Sequence, residues 1–84
     1  MYLISHRGNI NSIEKDRENS PDYINEALKN GFDVEVDVRF ENGKFFLGHD
    51  FNQFEIDKKF LLNNKIWCHA KTNEALVALD QIKA

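Results

Sequence analysis

The sequence predicts an α/β fold assembled from βαβ units, and three observations carry that prediction. Residues 33–40 alternate apolar and charged side chains without a break. A helical stripe with its own start and stop signals precedes them, and a second apolar run followed by a second helical stripe comes after. Strands that alternate with helices in this order build parallel sheets.

Each element follows from local chemistry. Tyr2, Leu3, Ile4 and Ser5 make a short apolar run expected as the first strand, and the polar residues 9–19 are expected as a loop. Ser20 is a helix N-cap, Pro21 suits the first helical position, and Asp22 meets the positive end of the dipole. Ile24, Ala27 and Leu28 supply the buried stripe, and Gly31 after Asn30 the stop.

In residues 33–40, Val34, Val36, Val38 and Phe40 share one strand face, and Asp33, Glu35, Asp37 and Arg39 the other. Asn42-Gly43 then calls for a type I′ hairpin turn, with residues 44–47 as the return strand. Residues 51–64 are expected to be irregular, with one helical turn near 58–62. Residues 66–70 read as a strand, and Thr72 or Asn73 caps a last helix carrying Ala75, Leu76, Leu79 and Ile82.

Composition narrows the function. The 84 residues suffice for one small domain, and 42% of them are hydrophobic, as in ordinary soluble domains. A net charge of -3, without a Lys/Arg cluster, argues against a nucleic-acid partner. The opening apolar run is too short for a signal sequence or a membrane span. With a single cysteine, Cys68, this points to a reducing, cytoplasmic setting. An acidic protein that binds an anionic diester needs local neutralisation, and a divalent cation is the obvious means.

Several residues could carry chemistry, each beside a plainer reading. Glu35 and Asp37 leave one strand face roughly 6.5–7 Å apart, so they can converge on a hard cation; a solvated charged face is the alternative. His6-Arg7-Gly8 follows the first strand at its carboxyl end, where catalytic groups gather in parallel α/β folds. There an imidazole can take or give a proton and a guanidinium can clamp phosphate, although polar surface would read the same way. Gly48-His49-Asp50 also ends a strand. It offers a second imidazole for acid–base work, or simply a turn. His69 and Lys71 share a face at the end of the last strand, as a metal or phosphate ligand and a charge neutraliser, or as a capped strand end. Trp67 is expected in the core or a pocket wall. Most phenylalanines are expected in the core, with Phe51 and Phe54 able to line a lipid or alcohol pocket. Ser5 beside His6 lacks the further members of a nucleophilic triad.

Taken in order, His6-Arg7-Gly8, Glu18-Asn19-Ser20, the run from Gly31 to Val38, Gly43 and Gly48-His49-Asp50 resemble the N-terminal signature of the glycerophosphodiester phosphodiesterase family. That family belongs to the phospholipase-C-like phosphodiesterases. The resemblance is close over residues 3–50 and looser through Lys71. It implies a (β/α)8 barrel, with Glu35 and Asp37 binding Mg²⁺ or Ca²⁺ and His6 and His49 as general acid and base. It further implies Arg7 on the phosphate of a small phosphodiester substrate, Lys71 as a second substrate contact, and Glu18 as support. In the family a metal-binding carboxylate stands two residues before the lysine of the third strand. Here that place holds His69, which would join the metal shell or touch substrate instead.

A closed barrel needs roughly 200–250 residues. The expectation is therefore a partial (β/α)8 barrel of about three βα units, with a hairpin after the second strand. It would be a single incomplete domain over residues 1–84, a fragment or a piece that works with a partner chain or a missing C-terminal half. A non-catalytic metal- or phosphate-binding module and a small interaction protein are the rival readings.

Overall fold

A computed structural model describes residues 3–10 and 12–83. Tyr2, expected in the first strand, lies outside them. The elements run β1 (Ile4–His6), α1 (Pro21–Lys29), β2 (Asp33–Glu41), β3 (Lys44–Leu47), β4 (Phe54–Ile56), α2 (Lys58–Leu61), β5 (Ile66–Ala70) and α3 (Asn73–Lys83). The fold is mixed α/β, a five-stranded sheet with three helices.

Helix α1 begins and ends as its sequence dictates. The Ser20 side chain accepts the Tyr23 N–H at 3.2 Å, a cap worth about 1 kcal/mol. At the other end Gly31 N–H donates to Leu28 O and Phe32 N–H to Ala27 O, which satisfies carbonyls the helix cannot. The stripe Ile24 and Ala27 is fully buried between these caps.

β2 organises the sheet. β1 and β5 pair with it in parallel, placing His6 beside Glu35 and His69 beside Asp37, while β3 returns antiparallel from the Asn42-Gly43 turn. Backbone groups alternate sides along a strand. Glu35 O accepts Arg7 N–H and Asp37 O accepts Gly48 N–H, whereas Val38 O accepts Lys71 N–H. β1 and β3 therefore follow one another along one edge of β2, and β5 occupies the other edge.

Val34, Val36 and Val38 have no exposed surface and meet Ile24 and Ala27 of α1, Ala75 and Leu79 of α3, Leu47 and Leu61. Burying each valine contributes about 1.5–3 kcal/mol, and a one-residue slip would turn all three outward. That difference fixes which face of β2 presents Glu35 and Asp37. The helices cover only the valine face. Across the sheet Ile4 is 50% exposed and Trp67 48%, so the charged face is open.

The structure differs from the sequence reading in two places. Residues 51–64 are more ordered than expected: Phe54–Ile56 pairs with β3 as β4, because the β3 edge is within reach of the short turn that begins at Gly48. In α3 the buried stripe is Ala75, Ala78 and Leu79, whereas Leu76 is 59% exposed. One residue past Ala75 rotates the side chain about 100° around the helix, off the sheet. Of the two places expected for Trp67, the structure gives the pocket wall: it lines a groove on the open face, where its Nε1–H donates to Asp33 Oδ2 at 3.0 Å. Phe54 packs against the core while Phe51 is exposed.

Candidate functional site

Asp37 is the centre of the charged rim. It is 1% exposed, buried where an unpartnered carboxylate would be costly. Asn19 makes a reciprocal pair with it: Asn19 Nδ2 donates to Asp37 Oδ2 at 2.9 Å, and Asp37 N–H donates to Asn19 Oδ1 at 2.9 Å. The Arg7 guanidinium meets the same Oδ2, with Nε at 2.6 Å; this is an ion contact, because the Nε–H is not aimed along it. His69 Nδ1 faces the other oxygen, Oδ1, at 3.4 Å.

Electrostatics keep this carboxylate charged. Burial pushes the Asp37 carboxyl upward, but the Asn19 hydrogen bond and the charges of Arg7, Lys71 and His49 outweigh it and hold it below the usual carboxylate range.

The backbone is bent to make these contacts. Arg7 has φ 58° and Asn19 φ 66°, both in the left-handed region, and Asn19 N–H donates to Arg7 O at 3.0 Å. Such conformations cost of order 1 kcal/mol or more and persist where surroundings impose them. Two of them on one buried carboxylate mark the knot that closes the base of the β1–α1 loop. The motif glycines fit the same geometry. A side chain at Gly8, φ 95°, would press on the Tyr23 ring, and a Cβ at Gly48 would lie 1.9 Å from Phe51 O.

The remaining candidates surround this knot. Glu18 accepts from Arg7 Nη1 at 3.5 Å and from Asn9 Nδ2 at 2.7 Å, so it supports the site through Arg7. His6 Nδ1 lies 3.2 Å from Glu35 Oε1, both half exposed on the open face. His49 Nδ1 lies 2.9 Å from Asp50 Oδ1. A cavity of about 540 Å³ brings together Arg7, Glu18, Asn19, His49 and Phe51. Glu35 and His69 line a separate shallow groove beside Trp67. Lys71 lines a third with His69. The structure thus joins Arg7, Glu18, Asp37 and His69 into one network, with His6 paired to Glu35 and His49 to Asp50 around it. Arg7, expected on the phosphate, is directed inward to Asp37 and Glu18.

Among the described residues no three His, Cys, Asp or Glu side chains gather in metal-binding geometry. What Glu35, Asp37 and His69 offer a divalent ion is narrower. Asp37 Oδ2 is committed to Arg7 and Asn19, which leaves Oδ1, shared with His69. Glu35 faces His6 instead, with Oε1 3.2 Å from Nδ1, so the three do not form a ligand set among the described residues.

Asn19 is the site residue that the reading of single positions missed. It stood inside the Glu18-Asn19-Ser20 motif, and its signal is that asparagine is enriched among non-glycine residues with positive φ. No family model, curated protein or solved structure matches the chain.

Proposed function

We propose that the chain carries the first part of a phosphoric diester hydrolase site of the glycerophosphodiester phosphodiesterase type. The observation that carries this reading is the ionised, buried Asp37, midway along β2 and beside the carboxyl ends of β1 and β5, fastened there by Arg7, Asn19 and His69. In this reading those three strands are the first of a (β/α)8 barrel. The β3–β4 pair is an antiparallel arm, and further strands from a longer polypeptide or a partner chain complete the site.

The chemistry follows from the imidazoles. His6 and His49 each have Nδ1 against a carboxylate, Glu35 and Asp50, which leaves Nε2 of each ring to work on substrate. One ring takes the proton of the attacking hydroxyl, from water or a neighbouring substrate hydroxyl, as the new P–O bond forms. The other protonates the departing alcohol oxygen as the old P–O bond breaks. Lys71 offsets the growing charge on the phosphoryl oxygens. The substrate is a small glycerophosphodiester or a related phospholipid-derived diester.

A second reading, a non-catalytic phosphate- or metal-binding module, is favoured by one observation: the cavity that His49 lines is not lined by His6. Hydrolysis of glycerophosphodiesters and lysophospholipids, with Mg²⁺ or Ca²⁺, separates the two. This chain and a version extended to barrel length are both assayed, with calorimetric titration of ion and diester alongside. Turnover in either protein that H6A and H49A each abolish supports the hydrolase. Binding without turnover in both supports the module.

A further inference from the structure

His49 stands on a loop whose base is fixed and whose tip is bare. Between β3 and β4, Gly48 N–H donates to Asp37 O and Gln53 N–H to Leu47 O, each at 3.1 Å. Within that closed base His49, Asp50 and Phe51 are exposed. Exposed loop tips are where order is lost first unless something ties them down. An imidazole that must meet a substrate in one orientation therefore needs a further tie.

Arg39 provides it. It follows Asp37 by two residues, so its side chain leaves the same face of β2. Its Nη1 donates to His49 O at 3.1 Å and its Nε to Asn52 Oδ1 at 3.1 Å. Asn52 Nδ2 in turn donates at 3.3 Å to Glu41 Oε1, on the next residue of that face. The guanidinium is planar and rigid, so its two bonds hold the His49 peptide and the Asn52 side chain at a set separation. Bonds from a charged donor are also roughly twice as strong as neutral ones. Arg39 forms no salt bridge among the described residues, and both of these donors serve the loop.

The brace bears on the ring. His49 Nδ1 lies 2.9 Å from Asp50 Oδ1, a contact between neighbours in sequence that depends on how the peptide joining them is turned. Arg39 holds the carbonyl of that peptide. A neutral imidazole paired to a carboxylate in this way carries its proton on Nδ1 and leaves Nε2 bare to accept one.

We propose that Arg39 is a positioning residue for His49, fixing the tautomer and direction of the ring through the His49 carbonyl and Asn52. This rests on the hydrolase reading, in which His49 is one of the two proton-transfer groups. One face of β2 then organises two loops, with Asp37 gripping the β1–α1 loop and Arg39 the β3–β4 loop.

The test separates the brace from the reaction. Long-range ¹H–¹⁵N spectra of the full chain, recorded where the rings are neutral, read the tautomer of His49, with H49A assigning the signal. Wild type should show mainly the Nδ1–H form, and R39A should move toward the mixture of a free imidazole while circular dichroism stays native-like. R39K keeps the charge without the fork and should fall between them; it carries the test if R39A unfolds. In the barrel-length protein, R39A should lower kcat by about 10- to 100-fold with KM changed by less than about twofold, as for a reacting group misplaced by about 1 Å. A folded R39A or R39K with the wild-type tautomer overturns the proposal, as does a wild-type ring without the Nδ1–H excess. An R39A kcat within about twofold of wild type overturns it too. Absence of turnover in wild type sinks the hydrolase reading instead, while the nitrogen spectra still decide whether Arg39 sets the ring.

Discussion

Replacing Asn19 tests whether the Asp37 knot holds the rim together. Asn19→Gly keeps the left-handed backbone available and removes both 2.9 Å bonds to Asp37. Losing a donor to a charged acceptor costs about 1.5–3 kcal/mol, and stranding the buried Asp37 N–H costs about 1–3 kcal/mol. The expected loss is therefore about 2.5–6 kcal/mol. Asn19→Ala should lose roughly 1 kcal/mol more, because an alanine at φ 66° clashes with its own carbonyl. A domain of 84 residues has roughly 4–13 kcal/mol of stability in all, so either variant approaches the unfolding threshold. Urea unfolding at pH 7, followed by far-ultraviolet circular dichroism, measures the loss. A change below about 1 kcal/mol in Asn19→Gly would refute the reasoning, since the network would then contribute nothing that water cannot replace. The acid limb gives an independent check. The native Asp37 carboxyl lies below its unfolded value, so its stabilisation is complete above about pH 4 and is lost as pH falls through the native value. Removing the Asn19 bond relaxes that depression, and the variant's stability should fall less steeply across the same window.

Gly48→Ala should destabilise by about 2 kcal/mol or more, because its Cβ would lie 1.9 Å from Phe51 O; thermal unfolding reads this directly. H6A and H49A remove half-exposed rings and should each change stability by less than about 0.5 kcal/mol in the same assay. If either unfolds the chain, that ring is structural and its place in the acid–base pair is lost. Cys68 should react with a disulfide reagent at pH 7 well below the rate of free cysteine, because burial pushes its thiol up. A rate equal to free cysteine would mean that the β5 and α3 packing opens freely.

Much of the fold was written in local pattern. The valine alternation fixed β2 and its facing, Ser20 and Gly31 bounded α1, and Asn42-Gly43 set the hairpin. These signals depend on neighbours a few residues away. β4 was illegible because Phe54–Ile56 is a strand only by virtue of the β3 edge beside it. Leu76 misled for a related reason: hydrophobicity marks a residue that prefers cover without saying whether the chain supplies it. The site divides along the same line. Motifs placed Arg7, Glu18 and Asp37 near one another, and the structure joins them. The inward turn of Arg7 and the reciprocal grip of Asn19 follow from backbone torsions that no spacing encodes.

The bond from Asn19 N–H to Arg7 O has a consequence for how this protein can vary. It ties the two ends of the β1–α1 loop together at the sheet, so the loop hangs from a closed ring. Residues added between them lengthen a tether whose ends are already fixed, and doubling its length costs only about 0.6 kcal/mol of closure entropy. The span between Asn9 and Glu18 can therefore vary in length while the carboxylate beneath it stays put.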